Sequence, residues 1–258
     1  KKPHIFGTYY HPPIYGIKRS TFFLTYHFTQ GLPILRFSDK VLPHTEHEKR
    51  ELIKVGAKDE NMDLLPNTVD TKLFKPVTKK ENLVIFPGHL IPEKGPEIAL
   101  KVASKILQER KDVKFIFIGS GNYEYELKLK KKASAIDKKR ISFTKNLSLK
   151  ELVRMYSSAK IMILPSKYEA FGKVLAESMA CETPVVSTRV GGVPEVVGDC
   201  GYLTEYGEWQ LFKEHIETLL DDDALRKRLG RKARKRMQKK FDIDVIVNKL
   251  DRIYKSVI

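Results

Sequence analysis

Residues Ser166–Val197, SKYEAFGKVLAESMACETPVVSTRVGGVPEVV, carry the pattern that decides the fold. They contain two glutamates, Glu169 and Glu177, with seven residues between them. Lys160–Pro165, just before the stretch, and Pro184–Ser187, inside it, are short apolar runs typical of buried strands. The order strand, loop, helix and strand indicates an α/β protein with a parallel sheet. In such proteins ligands bind at the carboxyl ends of the strands.

The positions of the two glutamates suit a ligand that carries both phosphate and sugar. Glu169 comes just before the Phe171-Gly172 turn, and Glu177 lies in the helix that this turn opens. A helix N-terminus favours negative charge, because its free N–H groups and its dipole both attract anions. A carboxylate accepts hydrogen bonds from the vicinal hydroxyls of a sugar ring. We therefore expect phosphate at the helix N-terminus and sugar hydroxyls at the glutamates.

The same stretch resembles the Glu-x7-Glu motif of retaining glycosyltransferases with the GT-B fold, glycosyltransferase family 4. A Glu-x7-Glu pair alone is unspecific, whereas the whole string in register is specific. The matching residues are Pro165-Ser166, Glu169, Phe171-Gly172, Glu177, Met179-Ala180-Cys181, Thr183-Pro184-Val185-Val186 and Gly191-Gly192-Val193-Pro194-Glu195.

The resemblance implies an α/β protein of the GT-B type, with two Rossmann-like domains. We assign residues 1–75 to a partial N-terminal domain on the acceptor side and residues 76–241 to a C-terminal nucleotide-sugar-binding domain. Residues 242–258 are expected to form a helix that packs back toward the N-terminal domain. The N-terminal domain is expected to be incomplete, because the family's first strands and the glycine-rich loop after the first of them are absent. The C-terminal domain is predicted to be a complete doubly wound parallel sheet, with strands at 83–86, 113–118, 141–143, 161–164 and 185–187.

A second motif, KENLVIFPGHLIPEKG at Lys80–Gly95, predicts an anion site. It reads as a buried strand, a tight turn at Gly88 and a helix that begins at Pro96, where proline is favoured. Lys94 stands beside the helix N-terminus, where its ammonium would add a point charge for a diphosphate. The family has an arginine where this chain has His89. Because histidine is charged only below about pH 6.5, we expect weaker donor binding or leaving-group stabilisation.

The resemblance also implies a role for each matching residue. Lys94 and His89 would contact the donor diphosphate, Glu177 the ribose hydroxyls and Glu169 the hydroxyls of the transferred hexose. His11 would touch the sugar from the N-terminal domain, although a lone histidine at the end of a strand can equally be a hydrogen-bonded core residue. The predicted catalytic residues are His11, Lys94 and Glu169. The predicted donor-binding residues are Gly88, His89, Lys94, Asn146, Glu169, Phe171, Gly172, Lys173, Val174 and Glu177.

The implied activity is transfer of a hexose from a UDP-, GDP- or ADP-sugar with retention of the anomeric configuration. No cofactor or metal is expected, because no Asp-x-Asp follows a predicted strand and Lys94 with helix dipoles can stabilise developing charge. The acceptor is expected to be a glycan, a lipid-linked molecule or a small molecule. Three alternatives stay open: a donor-binding module that is inactive without its missing domain or a partner subunit, a phosphorylase or epimerase, and a basic nucleic-acid binder.

The charge of the chain limits its partners without identifying them. The net charge is +16, with 48 lysines and arginines against 32 acids. No RNA- or DNA-binding motif is present, so nucleic acid is not the expected partner. Ten of the fifteen residues in Arg226–Lys240 are basic and none is acidic. This helix is either an exposed surface helix with one narrow apolar stripe or an interfacial helix attracted to anionic lipid.

Two cysteines without metal-ligand spacing, and the lack of an apolar run long enough to cross a membrane, predict a cytoplasmic protein. The basic helix at Arg226–Lys240 suggests that the protein could also contact the inner face of the membrane peripherally.

Overall fold

The computed structural model describes residues 3–8 and 31–258. The chain divides into two compact units. One comprises residues 1–68 together with 243–258, and the other comprises residues 69–242. His11 lies outside the described residues.

In the first unit, two short parallel strands pack with a small apolar core. The strands are β1 (Ile5–Gly7) and β2 (Lys40–Leu42). The helices are α1 (Leu32–Phe37), α2 (Glu46–Lys54) and, at the end of the chain, α10 (Ile243–Lys255), with a 3-10 turn at Asp59–Asn61. The core consists of Leu35, Val41, Leu52, Ala57 and Met62.

The second unit contains a six-stranded sheet in which all strands are parallel. The strands are β3 (Glu81–Pro87), β4 (Lys114–Ile118), β5 (Ile141–Thr144), β6 (Ala159–Leu164), β7 (Val185–Thr188) and β8 (Tyr202–Thr204). The five predicted strands are all present, so the α/β prediction is confirmed. Strand β8 was missed because it is only three residues long, lies at the sheet edge and buries only Thr204.

Seven helices of the described residues belong to this second unit and cover its sheet. They are α3 (Pro96–Glu109), α4 (Tyr123–Asp137), α5 (Leu149–Ser158), α6 (Lys173–Ala180), α7 (Val193–Val197), α8 (Trp209–Asp221) and α9 (Asp223–Lys240). The predicted helix start at Pro96 is confirmed. Ser148 and Glu151 exchange hydrogen bonds in a capping box at the start of α5. The central strands β3, β6 and β7 are largely buried, as their almost continuous apolar sequences require.

The strand order fixes where a ligand can bind. The order across the sheet is β5-β4-β3-β6-β7-β8. The chain therefore builds the sheet outward from β3 on one side and then, starting at β6, on the other side. This arrangement leaves a crevice outside the carboxyl ends of β3 and β6, the switch point at which doubly wound proteins bind ligands. The turn and helix start of the Lys80–Gly95 motif follow β3, and the Ser166–Val197 motif follows β6.

Helix α9 differs from the prediction that only one narrow apolar stripe of it packs. Three of its arginines, Arg226, Arg234 and Arg236, turn inward and donate hydrogen bonds to backbone carbonyl groups. A guanidinium group has five donors, so it can satisfy several carbonyl oxygens at helix ends and loops at once. The accepting carbonyls belong to Leu219 for Arg226, to Thr71, Phe74 and Ala180 for Arg234, and to Glu195 and Val196 for Arg236.

Candidate active site

An ion pair spans the crevice at the switch point. Lys94 ends a 3-10 turn, Pro92–Lys94, that follows β3, and Glu169 lies in the loop after β6. The Lys94 Nζ atom lies 2.5 Å from Glu169 Oε2. The two side chains are 22% and 14% exposed, so both groups are partly desolvated and still accessible to a ligand. Two predicted site residues that are far apart in sequence are thus brought together by the parallel sheet.

Backbone contacts hold the Glu169 loop in place. The Lys167 N–H group donates to the Glu93 carbonyl oxygen at 2.7 Å, which ties this loop to the turn that carries Lys94. The Gly192 N–H group donates to the Glu169 carbonyl oxygen at 3.1 Å. Gly191 has a φ of +51°, and a Cβ atom there would lie 1.9 Å from that same oxygen. Only glycine allows this close approach, because any side chain would collide with the Glu169 backbone.

The turn after β3 is braced by the neighbouring strand. The Gly88 N–H group donates to the carbonyl oxygen of Ile118, the last residue of β4, at 2.9 Å. A Cβ atom on Gly119 would lie 2.0 Å from the Gly88 carbonyl oxygen, so these two turns are in close contact. His89 follows Gly88 and is exposed at the same edge. The structure therefore keeps the predicted phosphate-side turn fixed, with the imidazole of His89 accessible from solvent.

Helix α6 presents its N-terminus from the same loop as Glu169. Gly172 precedes it in the left-handed conformation, with φ +83°, and no side chain caps the helix. Its first N–H groups are therefore not occupied by a side-chain acceptor, and the helix dipole adds positive potential there. Phe171 anchors the turn because its ring is buried and meets Phe241 edge to face at 5.5 Å. Lys173 is exposed and Val174 is half-buried at the start of the helix.

Glu177 lies one to two turns into α6 and is nearly buried, with 8% of its surface exposed. Its Oε2 atom accepts a hydrogen bond from the Tyr156 hydroxyl at 2.8 Å. Burial raises the pKa of Glu177, whereas the Tyr156 hydroxyl and the nearby Lys173 ammonium oppose that rise. Among the described residues, Oε1 has no side-chain hydrogen bond, so it can accept from a ligand. Tyr156 was not predicted, because nothing in the sequence around it indicates a partner 21 residues away.

One predicted residue, Asn146, is not brought to this cluster, and another, His11, cannot be placed. Asn146 follows β5, the edge strand, and is separated from β3 by β4. It is exposed and has a φ of +56°, a conformation that asparagine tolerates better than most residues. His11 lies outside the described residues. The predicted contacts of Asn146 with the nucleotide base and of His11 with the sugar stay predictions.

Residues 3–8 and 31–258 contain no group of three or more histidine, cysteine, aspartate or glutamate side chains that could hold a metal ion. None of the helices in these ranges has the length and apolar character needed to cross a bilayer.

A doubly wound sheet with glycine turns, an uncapped helix N-terminus and a lysine at its switch point defines the class of nucleotide-binding α/β domains. Within this class, residues 69–236 match the family model described as "Glycosyl transferases group 1", and the chain belongs to that family. The resemblance drawn from the Glu169–Glu177 motif is confirmed.

Curated relatives match most of this chain. The capsular polysaccharide biosynthesis glycosyltransferase CapM of Staphylococcus aureus is 28% identical over 204 residues, which cover 78% of this chain and 53% of CapM. The N-acetyl-alpha-D-glucosaminyl L-malate synthase of Bacillus anthracis is 31% identical over 184 residues, 70% of this chain and 47% of that enzyme. The chain therefore spans about half the length of these relatives.

Solved structures share the fold. Sucrose-phosphate synthase from Thermosynechococcus elongatus superposes with a TM-score of 0.78 at 25% identity, covering 88% of this chain and 60% of that one. Anabaena Alr3699/HepE, solved in complex with UDP and glucose, gives a TM-score of 0.83 at 20% identity, covering 99% of this chain and 72% of HepE. These matches confirm the GT-B assignment of the fold.

Proposed function

We propose that this chain provides the donor half of a retaining, metal-independent glycosyltransferase, which transfers a hexose from a nucleotide-diphosphate sugar to an acceptor. The observation that carries the proposal is the Lys94–Glu169 ion pair at the switch point. A cation suited to a diphosphate and a carboxylate suited to sugar hydroxyls are adjacent there, beside the N-terminus of α6. A sugar diphosphate presents these two chemistries side by side.

Each group then has a defined task. The diphosphate accepts hydrogen bonds from the Lys94 ammonium and from the first N–H groups of α6, and it competes with Glu169 for the lysine. Glu169, released from Lys94, accepts from the hydroxyls of the hexose. Glu177 uses Oε1 for the ribose hydroxyls while Tyr156 holds Oε2 in place. The exposed His89 adds one hydrogen bond to the diphosphate, and a positive charge only in acidic solution.

The proposed reaction requires no cofactor, because the substrates themselves supply every bond and proton that is exchanged. The bond between the anomeric carbon and the diphosphate oxygen breaks, and a bond from the same carbon to the acceptor oxygen forms on the same face of the sugar. The acceptor hydroxyl proton passes to the departing phosphate oxygen. Lys94 and the α6 dipole stabilise the negative charge that develops on this oxygen, which lowers the barrier to departure.

The names of the relatives support transfer of a sugar to a glycan or to a small molecule. CapM is named for capsular polysaccharide biosynthesis, and the Bacillus anthracis enzyme is named as an N-acetyl-alpha-D-glucosaminyl L-malate synthase. HepE was solved with UDP and glucose. We therefore select UDP as the first nucleotide to test. Cytoplasmic location and peripheral membrane contact remain part of the proposal, with the basic face of α9 as the contact.

Calorimetric titration with UDP, GDP and ADP tests the donor site. Wild-type protein should bind one of the three selectively. Lys94→Ala should weaken that binding about tenfold or more, because it removes a charge-assisted hydrogen bond. Glu177→Ala should weaken binding of the nucleotide through the ribose. Lys105→Ala, which removes an exposed lysine from α3, is the matched control and should bind like wild type.

Two results would contradict the proposal. If none of the nucleotides binds, the donor site is wrong. If Lys94→Ala and Lys105→Ala bind alike, Lys94 does not hold the diphosphate. The alternative of a donor-binding module is distinguished by activity: a module binds the nucleotide with the same losses in the variants but releases no sugar to any acceptor on its own.

A further inference from the structure

A cavity of about 750 Å³ lies at the opposite end of the sheet from the candidate active site. It opens beside the amino ends of β3 and β6, where Asn82 and Lys160 contribute to its wall, and beside the start of α9. All of its lining residues belong to the unit of residues 69–242. Its volume is in the range of small-molecule sites.

Positive charge dominates the wall of this cavity. Six of its lining residues are basic and two are acidic, which leaves an excess of four positive charges. The acids are Glu182 and Asp223. The basic residues are Lys79, Lys80, Lys160, Arg226, Lys227 and Arg231.

The two acids do not neutralise this set. Asp223 is shared, since it pairs with the buried Arg226 and lies 3.9 Å from the Lys160 ammonium. Within the described ranges, Lys79, Lys227 and Arg231 form no ion pair. Like charges gathered around one concave surface repel one another, and an anion bound among them would remove that cost.

Lys80 lines the cavity and is half-buried. Its ammonium donates to the Thr183 hydroxyl and to the Cys181 carbonyl oxygen at 3.5 Å, both of which are neutral groups. Burial lowers the pKa of Lys80 to about 8. A half-buried ammonium without a carboxylate hydrogen-bond partner in the described chain gains more from an anion than an exposed lysine does, because water screens it less.

We propose that this cavity binds a small ligand carrying phosphate groups, through Lys79, Lys80, Lys227 and Arg231. Phosphate is the anion that suits this wall, because several lysines and a forked guanidinium group can share its oxygens. The exposed part of α9 near the cavity is charged and offers no aromatic anchor for a bilayer, so we expect a soluble phosphorylated molecule rather than a lipid. The inference is independent of the proposed transferase reaction, since it uses none of the residues at the switch point.

Binding of inorganic tripolyphosphate, measured by calorimetry, tests this site. The pocket variant is Lys79→Gln/Lys227→Gln/Arg231→Gln. The matched control is Lys235→Gln/Lys239→Gln/Lys240→Gln, which also removes three positive charges, all from exposed residues of α9. The pocket variant should bind about tenfold more weakly or worse, the loss expected for at least one charge-assisted hydrogen bond. The control should retain binding. The loss in the pocket variant relative to the control should persist when Lys94→Ala is present in both proteins, because the cavity does not use the switch-point lysine. Circular dichroism and thermal melts establish that all variants are folded.

Three outcomes would overturn the site. Wild type that binds no tripolyphosphate has no such site. An equal loss of tripolyphosphate affinity in the pocket variant and in the control would show that general surface charge, and not the cavity, causes the binding. Loss only in Lys94→Ala would assign the binding to the switch point.

A second arm identifies the source of the phosphate. Vesicles of phosphatidylglycerol with phosphatidylcholine are compared with vesicles of phosphatidylcholine alone. A soluble ligand predicts that tripolyphosphate binding is lost in the pocket variant, while vesicle binding falls no further in the pocket variant than in the control. Vesicle binding that depends on phosphatidylglycerol and is lost only in the pocket variant would support the same phosphate chemistry, supplied by a lipid headgroup. Vesicle binding lost equally in pocket variant and control would contradict a role of the cavity in it.

Discussion

The hydroxyl group of Tyr156 donates a hydrogen bond of 2.8 Å to Oε2 of Glu177, in the interior of the larger unit. Tyr156 is completely buried and Glu177 nearly so, and burial raises the pKa of both groups. The pair joins α5 to α6. Tyr156, a residue of the structural core, thereby fixes the orientation of Glu177, which is predicted to bind the ribose hydroxyls. A positioning role of Tyr156 is therefore open to measurement.

Tyr156→Phe removes this hydrogen bond and keeps the ring. We expect the free energy of unfolding to fall by about 1–3 kcal/mol, because the carboxylate loses a partner in the interior. Nucleotide affinity should fall as well, since Oε2 is no longer held. Urea unfolding and calorimetry measure the two effects. Tyr123→Phe, at a tyrosine that is 78% exposed, is the control, and equal behaviour of the two variants would refute the role.

Glu177 should give the protein a distinct pH dependence. Its pKa in the folded state lies above the ordinary value of 4.5, so the folded protein holds this proton more tightly than the unfolded chain does. Its contribution to stability is full below pH 4.5 and is lost as pH rises through the folded-state pKa. Glu177→Gln does not lose stability in this way, because the glutamine side chain does not titrate.

The free energy of unfolding of wild type, minus that of Glu177→Gln, should therefore decrease from about pH 4 to about pH 8. Urea unfolding of both proteins across this range measures the difference. The other carboxylates titrate in both proteins and cancel. A difference that is constant with pH, or that increases, would contradict the assignment of a raised pKa to Glu177.

The close contact of Gly191 with the Glu169 carbonyl oxygen predicts that Gly191→Ala displaces Glu169. Nucleotide-sugar affinity and transfer should both decrease in this variant. Gly207→Ala is a matched control, because Gly207 also has a positive φ, +98°, yet nothing lies within 4 Å of the added Cβ atom. The control should lose about 1 kcal/mol of stability from backbone strain while keeping the site. Equal donor affinity in both variants would show that the contact is unimportant.

Arg234 and its neighbour Lys235 should differ in how much each contributes to the free energy of unfolding. Its guanidinium donates to the carbonyl oxygens of Thr71, Phe74 and Ala180, which ties α9 to the end of α6 and to the start of the larger unit. Arg234→Met should lower the free energy of unfolding by about 3 kcal/mol, because these carbonyls lose charge-assisted hydrogen bonds. Lys235→Met, at the exposed adjacent position, should change it by about 0.5 kcal/mol or less. Similar losses in the two variants would refute the internal role of Arg234.

Much of this molecule could be predicted from local sequence. The apolar runs predicted five of the six strands of the large sheet, and Gly95-Pro96 predicted a helix start that the structure confirms. These features depend on neighbours in the chain, through strand burial and proline geometry. The position of Lys94 and Glu169 at one crevice could also be expected, since carboxyl ends of parallel strands share one edge.

Sequence by itself determined the class of fold, the family and the edge of the sheet at which the proposed donor site lies, because periodicity and a motif in register are properties of adjacent residues. Only the tertiary structure decided which charges meet. It paired Lys94 with Glu169, placed Tyr156 on Glu177, turned Arg226, Arg234 and Arg236 inward, and gathered Lys80 with distant cations around a cavity. Each of these contacts joins elements that are remote along the chain, and side-chain reach and burial, which no local pattern encodes, select the partners.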